Sequence, residues 1–191
     1  FGQTLPFVIV QLAPFGPLAG EPVESNWAEV REAQRRVAQE DPYAELVITS
    51  DVGERLDIHP PLKKPVGQRA AAAMNHLRFG GSDAALGPRP KDAHRNGNTV
   101  FVSILGSNAG LMAASWGRPG PIMLCRTGAD RGCRFADALL AGDGIEVAIP
   151  ESFEPDLVRY CWGAAPICNV FDRQQRPLGP FELAIANGAG E

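Results

Sequence analysis

At 191 residues, 45% of them hydrophobic, the chain is long enough for one ample core or two small ones and too apolar for a disordered segment. A net charge of −4 leaves no basic footprint, so nucleic acid is not an expected partner. No apolar run approaches the roughly 20 residues that span a bilayer, so a soluble chain with no membrane partner is expected.

Phe1 to Thr4 carry neither an initiator Met nor a signal pattern, and they lead at once into a strand-like apolar run over 5–12. So abrupt an opening suggests that an upstream part has been removed. Pro14 to Val23 is a Pro/Gly loop. Asn26, with Glu29 three residues on, reads as the N-cap of a helix whose face carries Trp27, Val30, Ala33 or Gln34, and Val37, and which stops at Asp41-Pro42. Glu45 to Ser50 reads as a buried strand, and Lys63 to Leu77 as a helix with Val66, Ala70, Ala73, Met74 and Leu77 at helical spacing. Strand–helix–strand–loop–helix is the order of a parallel sheet with crossover helices, here with too few strands for a whole domain.

The texture changes after Gly80-Gly81. Residues 80–98, with Gly87-Pro88-Arg89-Pro90-Lys91, read as a linker or long surface loop. From Thr99 the runs are short and β-branched (99–104, 121–124, 144–149, 157–160), Gly, Asp or Pro separates most of them, and Phe135 to Leu140 alternates as a further strand would. The expected organisation is an α/β unit over 1–79, the linker over 80–98, a β-rich antiparallel region over 99–186 and a tail over 187–191.

Two acidic–histidine pairs stand out, Asp57-Ile58-His59-Pro60 and Asp92-Ala93-His94. Only the first follows a strand and precedes a helix, where catalytic groups collect in α/β sheets. There the His59 imidazole would take a proton from a nucleophile while the Asp57 carboxylate orients it. Asp51 ends the strand and suits the turn before Gly53, and His76 falls late on the helix, as a surface or rim residue. Ser25, Ser50, Ser82, Ser103, Ser107, Ser115 and Ser152 all lack a nucleophile motif, so the chain reads as part of a hydrolase. Trp116 is the best candidate platform for a sugar ring, and Arg55, close to His59, the candidate clamp for an anionic one.

The four cysteines, Cys125, Cys133, Cys161 and Cys168, permit three connectivities, and sequence does not choose among them. Their close spacing suits bridges across hairpins or loops and hence an oxidising compartment, periplasmic or extracellular; four buried thiols are the alternative. Zinc is disfavoured by the spacing and by the lack of a nearby histidine.

Val47-Ile48-Thr49-Ser50-Asp51-Val52-Gly53, then Asp57-Ile58-His59-Pro60, then Lys64-Pro65-Val66-Gly67-Gln68-Arg69-Ala70-Ala71, resembles the carboxy-terminal block of the SGNH hydrolases, most of all the sialate O-acetylesterase-like branch. Flanking segments in the same order extend the likeness: Pro6 to Leu12, Trp27 to Gln34, Val158 to Trp162 with Pro166, Asn169 to Phe171, and Pro180-Phe181. The resemblance implies the carboxy-terminal part of a flavodoxin-like, parallel-sheet α/β domain followed by an antiparallel β-rich region. It also implies a serine esterase that removes acetyl groups from sugars, with no metal and no organic cofactor. His59 would be its base and Asp57 the orienter of His59. The serine and the Gly and Asn oxyanion donors have no match here, so the implied partner is the amino-terminal half of the same enzyme, as a cleaved chain or missing segment. The alternative is a non-catalytic carbohydrate-binding or scaffolding module derived from such an esterase.

Overall fold

The computed structural model describes residues 2, 4–81, 86–107, 110–115, 117–129 and 131–187. In chain order its elements are β1 (Phe7–Val10), α1 (Asn26–Glu40), β2 (Ala44–Val47), α2 (Lys63–Phe79), β3 (Arg89–Asn96), β4 (Thr99–Leu105), β5 (Leu111–Ala113), β6 (Ile122–Arg126), β7 (Gly132–Phe135), β8 (Ala138–Ala141), β9 (Gly144–Ala148), β10 (Leu157–Tyr160), β11 (Val170–Asp172) and β12 (Phe181–Ala186). An eight-stranded mixed sheet dominates, in the order β7-β6-β10-β12-β3-β4-β9-β8, while β1-β2 and β11-β5 form separate two-stranded pairs.

This arrangement corrects the expected fold class. A parallel flavodoxin-like α/β core is not present among the described residues, and strand outweighs helix. Among the described residues one strand–helix–strand crossover joins parallel neighbours, β1 beside β2 with Phe7 opposite Ala44 and Val10 opposite Val47. Of the large sheet's pairings only β12–β3 is parallel. The physical reason is loop length. A parallel neighbour needs a crossover of a dozen or more residues, whereas two residues suffice for a hairpin. Gly97-Asn98 joins β3 to β4 and Gly142-Asp143 joins β8 to β9, with Gly97 and Gly142 in the left-handed region at φ 57° and 58°. Residues 89–96, expected as linker, are accordingly a strand inside the sheet.

The sheet's main core comes from alternation. Val100, Val102 and Ile104 of β4 meet Ile145 and Val147 of β9, Val158 and Tyr160 of β10, and Phe181 of β12, all buried. The Tyr160 hydroxyl accepts the Val170 N–H at 2.9 Å, tying β11 to this core. β6 shows no alternation because both faces are covered. Ile122 and Leu124 face the main core, whereas Met123 and Cys125 join Ala28 of α1 and Trp162 in a second cluster.

α1 starts one residue earlier than its sequence suggested. Ser25 is the N-cap, its hydroxyl accepting the Ala28 N–H. The expected face also shifts, since Val30 and Val37 are about half exposed while Ala28, Arg31 and Glu32 are buried. Arg31 is 1% exposed and reaches four backbone carbonyls: Leu12 (2.8 Å), Ala13 (3.2 Å), Gly163 (2.8 Å) and Ala164 (2.7 Å). Burial pushes this guanidinium down to about 10, still charged at neutral pH. α2 keeps its expected face: Ala73 is buried and Val66, Ala70, Met74 and Leu77 are partly covered.

Two disulfides form, each between neighbours in sequence. Cys125–Cys133 links directly opposed residues of β6 and β7, and Cys161–Cys168 closes the loop after β10. Closing such short loops is worth about 2–3 kcal/mol per bridge. Reduction is therefore expected to lower the urea midpoint measurably; an unchanged midpoint in fully reduced protein would contradict this.

Candidate functional site

The loop between β2 and α2 carries Asp57 and His59, and four contacts hold its backbone. Thr49 donates its hydroxyl to the Gln11 carbonyl at 2.8 Å. Arg69, from the second turn of α2, grips both Asp51 oxygens at 2.7 and 2.6 Å and donates to the Ile48 carbonyl at 2.8 Å. Gly16 donates its N–H to the Arg55 carbonyl at 2.9 Å. Gly53 sits so tightly on Pro14 that a Cβ there would lie 2.4 Å from Pro14 Cδ and 2.8 Å from its nitrogen. Backbone cannot yield as a flexible side chain does. Gly53→Ala is therefore expected to destabilise the protein by about 1–3 kcal/mol, read as a shifted urea midpoint. A midpoint matching the parent would show that the loop is not seated on Pro14.

At the tip, Glu54 and Asp57 form an isolated bridge and the Asp57 N–H donates to the Glu54 carbonyl at 3.2 Å. Asp57 Oδ1 accepts the backbone N–H of His59 at 2.8 Å. Both residues are exposed, and the His59 imidazole makes no hydrogen bond among the described residues. The structure thus brings Asp57 and His59 together on one tight turn, with the carboxylate spent on the backbone instead of the imidazole. An exposed imidazole on a braced loop can act as a base for a group brought to it from outside the loop. Ser50 of the same loop cannot be that group, because its hydroxyl is fully enclosed.

The other candidates fall as follows. Arg55 is exposed beside the pair, and its side chain makes no hydrogen bond or ion pair among the described residues. Trp116 lies outside the described residues, as does Ser82. Asp92 and His94 stand on β3, where Asp92 accepts the Ser103 hydroxyl at 2.6 Å and His94 leans on Phe101 at 5.5 Å; they belong to the sheet surface. Asp51 is Arg69's ion-pair partner. His76, expected at a rim, lies 3.6 Å from Glu45, which also meets Arg89 at 3.6 Å. Sequence reasoning missed Arg69 and Pro14. The pairing of Asp51 with a helical arginine 18 residues later follows no local periodicity, and Pro14 read only as loop.

Geometry alone defines a braced, solvent-facing Asp/His turn at the carboxyl end of a parallel strand, joined to a mostly antiparallel mixed sheet. No family model and no curated protein matches the sequence. Among solved structures the chain is similar to the crystal structure of a novel carbohydrate acetylesterase from Xanthomonas citri. The TM-score is 0.80 and the identity 30%, over 93% of this chain and 40% of that one. The chain therefore spans about two fifths of the length of the solved structure it matches.

Proposed function

We propose that the chain is the Asp–His part of a carbohydrate O-acetylesterase. The observation that carries this reading is the likeness, along nearly the whole chain, to a solved carbohydrate acetylesterase. His59 takes the proton of a serine hydroxyl as that serine attacks the acetyl carbonyl, then returns it to the departing sugar oxygen. Water, deprotonated by the same imidazole, releases acetate and restores the serine. Asp57 orients the imidazole and offsets its charge. The serine and the Gly and Asn oxyanion donors lie on a segment or partner chain beyond these residues, of the sialate O-acetylesterase-like type that the sequence resembles. Two disulfides suit a periplasmic or extracellular setting. No helix among the described residues is long and apolar enough to cross a membrane.

One observation favours a second reading, a carbohydrate-binding or scaffolding module without catalysis: Asp57 Oδ1 holds the His59 backbone and not its ring. A fluorophosphonate probe separates the two. The natural full-length protein, or this chain with the chains that co-purify with it, is expected to give one labelled serine outside these 191 residues, with labelling lost in His59→Ala. Labelling of a serine within this chain would overturn the assignment of the nucleophile to another segment, and no labelling at all would leave the second reading standing.

A further inference from the structure

The protein carries a net charge of −4, yet one concavity of about 410 Å³ gathers three arginines from different stretches of chain. Arg126 ends β6, Arg131 lies in the turn between β6 and β7, and Arg159 lies on β10. Arg131 is exposed and has no hydrogen bond or ion pair among the described residues. Arg126 donates to the Ser152 carbonyl at 3.0 Å and covers the Phe153 ring at 4.5 Å, while its Nε–H is buried without an acceptor. Among the described residues the nearby carboxylates are engaged. Glu154 pairs with Arg95, and Asp156 accepts the Thr127 N–H and hydroxyl at 2.6 and 2.9 Å. Those two bonds hold Asp156 below the usual carboxylate range, so it stays ionised and committed to Thr127.

Arg159 shows what such a site accepts. Its Nε bonds Glu182 at 2.6 Å from within the sheet, and its outer nitrogen bonds Glu24 at 2.9 Å. The Glu24 side chain is 68% exposed, so its carboxylate reaches in from solvent. The remaining wall is Thr127, Gly132 and an apolar side formed by Pro22, Val23, Leu157 and the Cys125–Cys133 bridge. An apolar side beside two held guanidiniums, Arg126 and Arg159, and the free Arg131 matches a ring with a C–H face on one side and a carboxylate on its rim.

We propose that this concavity is a subsite for the carboxylate of a uronate unit in an acidic polysaccharide, with Glu24 as its internal competitor. The choice of a carbohydrate ligand rests on the function proposed above, while the anion preference rests on the arginines alone. His59 does not line this concavity, so the subsite would hold the polymer away from the reacting acetyl group.

Calorimetric titration of the full chain with tri-galacturonate, a neutral xylotriose and sodium sulfate tests it. The expected result is saturable binding of the uronate trimer that weakens with added salt, with neither xylotriose nor sulfate matching it. Arg131→Gln, an exposed turn substitution, should weaken binding about tenfold, and Glu24→Gln should strengthen it severalfold. Equal affinity of parent and Arg131→Gln, or of uronate and neutral trimer, would overturn the subsite. Sulfate bound as tightly as the uronate would overturn its carbohydrate assignment. The titration needs no nucleophile, so its failure and a failure of serine labelling remain separate results.

Discussion

On the function proposed above, His59→Ala, assayed with the nucleophile-bearing part present, is expected to lower kcat for an acetylated sugar by about 10⁴- to 10⁶-fold with little change in KM. On that reading, substrate is held by other surfaces and proton transfer runs through the imidazole. Asp57→Asn should cost somewhat less, about 10⁴-fold, because the amide cannot stabilise the imidazolium. It also bears on the structure directly. The carbonyl oxygen of the introduced amide can still accept the His59 N–H, so the turn observed at 2.8 Å survives and folding should not change. Loss of turnover with an unchanged urea midpoint would mean that the carboxylate serves the ring during catalysis. Full turnover in both variants would remove the pair from the mechanism.

The second large effect concerns stability. Arg31→Met keeps the length of the side chain and removes its donors. The Ala13 carbonyl retains the Trp27 indole N–H and the Ala164 carbonyl retains the Phe15 N–H, but those of Leu12 and Gly163 lose the partner shown for them. Two orphaned buried acceptors, with the accompanying loss of packing, cost about 3–5 kcal/mol. That is a large part of the roughly 5–15 kcal/mol that holds a domain folded. Urea denaturation should show it, and Arg31→Lys, which keeps one donor group, should fall between. A loss below about 1 kcal/mol for Arg31→Met would mean that water replaces the guanidinium.

The two effects differ in how much of them is legible in the sequence. α2 was readable because small and apolar residues recur on one face from Val66 to Leu77. The runs that became β4, β6, β9 and β10 were readable as β-branched segments between breakers. Arg31 was not, since charge on a helix normally signals the solvated face, and here four carbonyls from two distant loops reverse that rule. β3 was missed because Pro90, Lys91 and Arg95 look like loop, although Asn96-Gly97-Asn98 before Thr99 is a local hairpin signal. The parallel-sheet expectation failed for a related reason. One strand–helix–strand unit is real, but nothing local announces that the following strands return by hairpins into a separate sheet. Asp57 and His59 were found as neighbours in sequence, while the direction in which the carboxylate spends its bond depends on the turn.

The strand order carries a consequence for how the molecule is made. β12 comes last along the described chain, yet it lies at the middle of the large sheet, between β10 and β3. Before residues 181–186 are synthesised, β7-β6-β10 and β3-β4-β9-β8 are two ribbons that share no hydrogen-bonded edge, each exposing strand backbone to solvent. Each ribbon can form as it is made, but the two are not joined into one sheet until β12 is in place. Its closure waits on β12, which pairs with both ribbons across partners far apart in sequence, the kind of contact that slows folding.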